Sequence, residues 1–461
     1  MKYKAIENAI NPLDGRYFDK TRALAPYFSE EALMKYRVKI EAEYLIALSE
    51  NKISNKIFRK FTPNEIKIIK NLYEKFDEIS YKKIKEIERA TNHDVKAVEY
   101  FIKKELSKTS LKNSVEWVHF ALTSEDTNNL AYGLILSESV SNVLMPKLKE
   151  INKGLELLAK RYKNLPMLAR THGQPASPTT FGKEIKVFAS RLERGLDHLL
   201  GQKIMVKMSG ASGNYNAHTV VFPKIDWLKF SENFITDLNK NLIFKLELNS
   251  FTTQIEPRDS YVELFDRFKR MNNMLIDFNQ DMWRYISDNW ITQKVKGGEV
   301  GSSTMPHKIN PIDFENSEGN LGLANALFEF FGRKLAISRL QRDLSDSTVE
   351  RAFGTAFGHS YLAYTSLLQG LNKISVNESK IKEDLNNHPE VITEAIQTIL
   401  RREGMVMPYE KLKELTRGKQ VTLLDIHKFI NTLKISEKIK KELLAITPEN
   451  YIGLASKLAS K

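Results

Sequence analysis

The sequence predicts an all-α protein. Apolar residues recur at steps of three and four over long segments. Glycine and proline, 21 and 14 in 461 residues, gather in a few polar, turn-rich clusters that interrupt those segments. Each long stripe runs near the period of supercoiled helices, so each helix has one face to bury. Helices of this length need several long partners, and the expected architecture is an elongated bundle completed by other subunits.

Along the chain, residues 1–112 carry shorter helical patterns and end near the polar KTSLKNS. Two polar clusters lie here. DGRYFD comes first. ERATNHDVKAVEY sets His93 beside Asp94, a pair able to orient an imidazole; in the alternative reading Asn92 or Asp94 caps the helix that begins VKAVEYF. Residues 113–371 form the long-helix region. It opens with FALTSEDTNN, where Thr123 or Ser124 can cap a helix with Glu125 or Asp126 in its first turn, a geometry that also offers amide donors to an anion.

A stripe of Val140, Leu144, Leu148, Ile151, Leu155 and Leu158 follows, and Pro146 should bend this helix without ending it. In LARTHGQPASPTT, His172 sits beside Gly173 with Pro175 and Pro178 just beyond, off any regular helix face. Two further stripes run through Ile185, Phe188, Leu192, Leu196 and Leu199, and through Leu264, Phe268, Met271, Leu275, Phe278 and Met282. Beyond them, GSSTMPHKINP (301–311) reads as a loop: Gly301 frees the backbone, and Pro306 and Pro311 interrupt hydrogen bonding. Its density of donors suits an anion. TTQIEPRD and SRLQRDLSDSTVER are further polar stretches. After the stripe through Leu362, Leu367, Leu368 and Leu371, residues 372–461 return to short, Lys-rich amphipathic pieces.

Composition removes several function classes. With no cysteine there are no disulfides, thiolate nucleophiles or cysteine-bound metals. The start lacks an apolar signal core and no long uncharged hydrophobic run follows, so the cytoplasm is expected and a membrane is not. The formal charge of +13 fits a nucleic-acid binder or solvated lysine on helix surfaces. Lysine and arginine alternate with acidic and apolar residues and form no basic arm, which favours the second reading and no nucleic-acid partner. The nine histidines show no metal-ligand spacing, and the GxSxG of hydrolases is absent. No metal and no cofactor are expected. What remains is a site of Ser, His, Lys, Arg and amides, suited to proton transfer on a multiply anionic small molecule.

GSSTMPHKINP resembles the signature loop of the fumarase/aspartase superfamily. NPLDGRY, TNHDVKAVEY, HFALTSEDTNNLAY, RTHGQPASPTTFGKE, GNYNAH, TTQIEPRD and RDLSDSTVERAFG narrow the resemblance to the adenylosuccinate lyase family in its longer bacterial form, over essentially the whole chain. The resemblance implies a three-domain all-α fold, a homotetramer with active sites shared between subunits, and elimination of fumarate from adenylosuccinate. The succinylated aminoimidazole carboxamide ribotide of purine synthesis (SAICAR) is the second implied substrate. Ser302 matches the family's general base and His172 its general acid. Arg16 and Tyr17 should contact the nucleotide. Asn92, His93 and Asp94 should meet its phosphate and ribose, and Thr123 and Ser124 the succinyl carboxylates, with Gln254 positioning the substrate. Ser303, Lys308, Ile309, Asn310 and Asn316 should bind the succinyl part. Arg342 and the run Ser347, Thr348, Val349, Glu350 and Arg351 should hold the phosphate end. Glu350 is out of place in an anion-binding run, and its side chain should point away. The 297–311 loop is expected to close over substrate.

Overall fold

The computed structural model describes residues 5–6, 8–50, 59–294, 305, 307–418 and 421–461. They are overwhelmingly helical, as the stripes require. By compactness the chain divides into two units: residues 1–149, 195–273 and 319–365, and residues 150–194, 274–318 and 366–461. The division cuts the long-helix region along its helices.

In the first unit, α1 (Glu30–Glu50) is buried on nearly every side and places Arg37 and Glu41 in an apolar interior. α2 (Glu78–Thr91) and α3 (Asp94–Leu106) meet at a tight turn where Asn92 takes φ 50°. Asn is one of few residues that adopt the left-handed region cheaply, so α2 stops there. The cap of α3 is neither Asn92 nor Asp94 but His93, whose Nδ1 accepts the Lys96 amide proton at 3.2 Å.

α4 (Ser124–Ser139) opens on a capping box between Thr123 and Asp126, packs against α1, and passes into a π-turn at Val140–Leu144. α5 (Met145–Arg161) continues from it. The disturbance expected at Pro146 thus takes the form of a π-turn just before it. A wider turn accommodates a residue that lacks an amide proton and crowds the preceding carbonyls. The long helices α7 (Asp259–Ser287), α8 (Ile312–Leu335) and α10 (Phe353–Lys373) meet in this unit through an aromatic cluster, with Phe265 4.9 Å from Phe353 and Phe328 5.1 Å from Phe357, ring centre to ring centre. Between α8 and α10 lies the short α9 (Ser345–Glu350).

The second unit contains the β-hairpin β1 (Pro166–Thr171) and β2 (Gln174–Thr180), then α6 (Phe181–Leu200), which runs on into the first unit. Leu168 of β1 enters a core made by the C-terminal helices, among Leu385, Ile392, Ile396, Ile426 and Leu443. The described residues also pair β3 (Ile204–Val206) with β4 (Leu246–Leu248) in the first unit and β5 (Ile291–Gln293) with β6 (Ile374–Val376) in the second. These short strands are minor exceptions within an all-α fold. The three stripes are buried where expected; Leu158 is half-buried. Among the described residues no helix is long and apolar enough to cross a membrane.

Candidate active site

In the first unit, α1, α4, α9 and the turn joining α2 to α3 surround a polar cavity of about 530 Å³. Of the residues singled out from sequence, Asn92, His93, Asp94, Ser124, Arg342, Ser347, Thr348, Glu350 and Arg351 border it. The α2–α3 turn positions the first group. Asp94 accepts an ion pair from Arg37 and another from Arg351, each at 2.8 Å, while its other oxygen accepts the Val95 amide proton. Burial alone would raise this carboxyl, but Arg37 and Arg351 outweigh it and hold it at about 2. The expected pairing of His93 with Asp94 is long, 3.9 Å from ring nitrogen to carboxylate, and the same nitrogen accepts the Lys96 amide proton at 3.2 Å, which orients the imidazole. With Nδ1 accepting, the neutral ring carries its proton on Nε2.

On the α9 side, Arg342 donates to Ser347 Oγ at 2.8 Å and pairs with Glu125 at 3.3 Å. Glu350 turns from the cavity to Arg258, with Nε–Oε1 at 2.6 Å, so its carboxylate does face away as expected although the residue borders the cavity. Arg258 is fully buried and also pairs with Glu125. Val349 is buried and takes no part in the cavity border. Thr123 is likewise outside it, occupied as the cap of α4. Arg16, its guanidinium 5.6 Å from the centre of the Tyr17 ring, lies with Tyr17 outside this cavity, as does Gln254, which donates to the Ala211 carbonyl at 3.2 Å.

The sequence reading missed Arg37, Asn128 and Tyr132. Arg37 also donates from Nε to Asn128 at 2.9 Å. The available signal was weak: Arg37 stands among other charged residues of its helix, Lys35, Lys39, Glu41 and Glu43, and only the fold shows it buried and in need of a partner.

The second unit presents His172 at the tip of the β1–β2 hairpin, exposed to solvent. His172 and Gly173 have φ of 52° and 74°, the positive pair that a two-residue hairpin turn needs. The position off any helix was expected; the hairpin was not. Lys308 and Ile309 are exposed, and the Ile309 carbonyl accepts from Gln293 at 3.0 Å. Asn310 immediately follows, and Asn316 in α8 accepts from Ser366 at 2.8 Å. Ser302, Ser303 and most of the 297–311 loop lie outside the described residues. Among the described residues no group of three or more His, Asp or Glu side chains is placed to hold a metal ion.

Arginines beside serine hydroxyls can hold a phosphate through paired hydrogen bonds, and an exposed imidazole can deliver a proton. A family model described as Lyase matches residues 15–325, and another, Adenylosuccinate lyase C-terminal, matches residues 338–452. The chain is 51% identical over 455 residues to adenylosuccinate lyase from Dictyostelium discoideum, covering 97% of this chain and 96% of that one. To the enzymes of that name from Legionella pneumophila (strain Corby) and Escherichia coli (strain K12) it is 49% and 47% identical, covering 98% and 97% of both chains. Among solved structures it resembles a fumarate lyase from Mesorhizobium sp. BNC1, with TM-score 0.73 at 17% identity and 96% coverage of each chain. The 3-carboxy-cis,cis-muconate lactonizing enzyme from Pseudomonas putida gives TM-score 0.75 at 18% identity and 98% coverage of each. At such identities the likeness is one of fold.

Proposed function

The chain belongs to the adenylosuccinate lyase family of the fumarase/aspartase superfamily, and we propose from that premise that its first unit holds the phosphate of adenylosuccinate while Ser302 and His172 carry out the elimination. The activity is that of an adenylosuccinate lyase in purine biosynthesis. The observation that carries the phosphate reading is the cavity where Arg342 with Ser347, and Arg351 with Asp94 and Arg37, present fixed cations and hydroxyls. SAICAR shares the phosphate and the succinyl group with adenylosuccinate, so the same site serves both.

The chemistry sets the roles. A proton leaves the carbon beside a carboxylate while the C–N bond breaks, so charge builds on that carboxylate and fixed donors there lower the barrier. Ser302 takes the proton; Lys308 and Asn310 bind the succinyl part. His172 protonates the departing amine from the opposite face, and its exposure at the hairpin tip supports that role. General acid and base contribute about 10²–10⁴-fold each in typical enzymes.

We further propose a cytoplasmic homotetramer whose active sites draw residues from several chains. Apolar side chains left exposed on the long helices, such as Leu157, Val187, Trp283, Leu323 and Phe330, support it. The segments 1–112, 113–371 and 372–461 remain the proposed domains, with tetramer contacts in the middle one.

The test is a spectrophotometric assay with adenylosuccinate on the purified protein and on Ser302→Ala and His172→Ala. Conversion to AMP and fumarate by the unaltered chain, with turnover lost in both folded variants, is expected. Retention of wild-type turnover by either variant would remove that residue from the chemistry.

A further inference from the structure

Behind the cavity wall lies a set of charges that phosphate binding does not by itself require. Glu125, Asp346 and Glu350 face Arg258 and Arg342, three carboxylates against two guanidiniums. The side chains of Arg258 and Glu125 are wholly buried, Glu350 is 1% exposed, and Asp346 and Arg342 are 7% and 14% exposed. The hydrogen bonding is incomplete: among the described residues Asp346 Oδ2 and Arg342 Nε are buried with no hydrogen-bond partner, and Glu125 Oε2 has only its ion pair with Arg342 at 3.3 Å. An excess carboxylate in such a place is costly while ionised, and taking up a proton relieves that cost.

We propose that Glu350, buried against Arg258 beside Glu125 and Asp346, is an exchangeable proton site behind Arg342, and that binding of a phosphate dianion in the cavity draws a fraction of a proton onto it. The proposal rests on the phosphate reading of the cavity given above. Glu350 is then a positioning residue: it touches no substrate, and its protonation sets how much of the positive charge on Arg258, and through Glu125 on Arg342, is left for the ligand.

The groups facing Glu350 are Arg258 from the turn before α7, Glu125 and Tyr132 from α4, Asp346 from its own helix, and Tyr261 from α7. Arg37, Glu88, His93, Asp94, Arg342 and Arg351 are the other charged or titratable groups bordering the cavity. Burial, with Glu125 and Asp346 nearby, pushes the Glu350 carboxyl up to about 7 against the pull of Arg258. A bound dianion raises it further, so the complex holds more protons than the free site. Affinity from this source is greatest below that value and falls as pH rises through it.

AMP is the probe, titrated calorimetrically into the full-length protein near pH 8, where its phosphate (second pKa about 6) is already ionised. Buffers of different ionisation enthalpy then report proton exchange. We expect uptake of about 0.3–1 proton per AMP, disappearing in Glu350→Gln and persisting in His93→Gln. Where Glu350→Gln does not fold, Asp346→Asn replaces it: with one neighbouring negative charge gone Glu350 ionises more readily, and uptake should shrink. Heats independent of the buffer, or uptake undiminished in the folded carboxamide variant, overturn the proposal while leaving the phosphate site intact. Absence of AMP binding by the unaltered protein overturns the phosphate reading, and the proposal with it.

Discussion

Asp94 is the residue on which the cavity's geometry turns, because one carboxylate oxygen serves two guanidiniums. Arg37 is 2% exposed, and among the described residues Asp94 is the carboxylate it pairs with, so its charge depends on this pairing. In Asp94→Asn the pair is broken from one side and the buried Arg37 loses its carboxylate, which costs about 1–3 kcal/mol. The thermal midpoint should fall by several degrees, and KM for adenylosuccinate should rise more than kcat falls, since Arg351 loses its anchor. The pH dependence has a definite sign. A carboxyl held at about 2 when folded, below an unfolded value near 3.8, contributes stability that is complete above the unfolded value and is lost as pH falls toward 2. Acid titration of the melting temperature should show that loss in the unaltered chain and less of it in Asp94→Asn. An identical acid limb in both proteins would show that the pairing carries no stability. Sequence made Asp94 visible through its cluster but concealed its partner, because Arg37 sits fifty-odd positions away in a helix with several other charged residues, from which nothing local sets it apart.

At the level of elements, the helices followed from the spacing of apolar residues, and the stripes through Leu192 and Leu275 are buried as that spacing requires. The hairpin carrying His172 did not follow. Its strands are short, contain Pro175 and Pro178, and are held by Leu168 in the core of the C-terminal helices, a long-range contact that no local pattern announces. What fixes the element after the hairpin is Gly182 at the start of α6. A Cβ there would lie 2.6 Å from the Lys163 Cα and closer still to the Ala159 carbonyl, backbone atoms of the turn after α5 and of its last helical turn. Backbone cannot swing aside as a side chain can, so Gly182→Ala must push α6 away from α5. Overpacking of this kind costs about 1–3 kcal/mol. Melting should drop accordingly, and turnover should fall too, because Gly182 directly follows the strand that returns from His172. Normal stability in Gly182→Ala would mean that the α5–α6 crossing is looser than the structure has it.

For the whole molecule, the residues proposed to act divide unevenly: the cavity proposed for the phosphate belongs to the first unit, and His172, Lys308 and Asn310 to the second. No inspection of one sequence can say whether a phosphate site and a proton donor that act together come from the same chain. The motifs are equally visible either way, and the choice is made by how copies assemble. Shared sites make a prediction that unshared sites cannot. Arg351→Ala cripples the cavity and His172→Ala removes the acid, so each variant alone should be nearly inactive. After mild dissociation and reassembly of the two together, some sites will draw the cavity from one variant and the hairpin from the other, and those sites are intact. Activity should therefore return in the mixture and stay absent in either variant treated alone. If mixed oligomers form, as native mass spectrometry of differently tagged chains would establish, and activity still fails to return, then each site takes its cavity and its acid from a single chain. The exposed apolar residues of the long helices would in that case need another explanation than tetramer contacts that complete the active site.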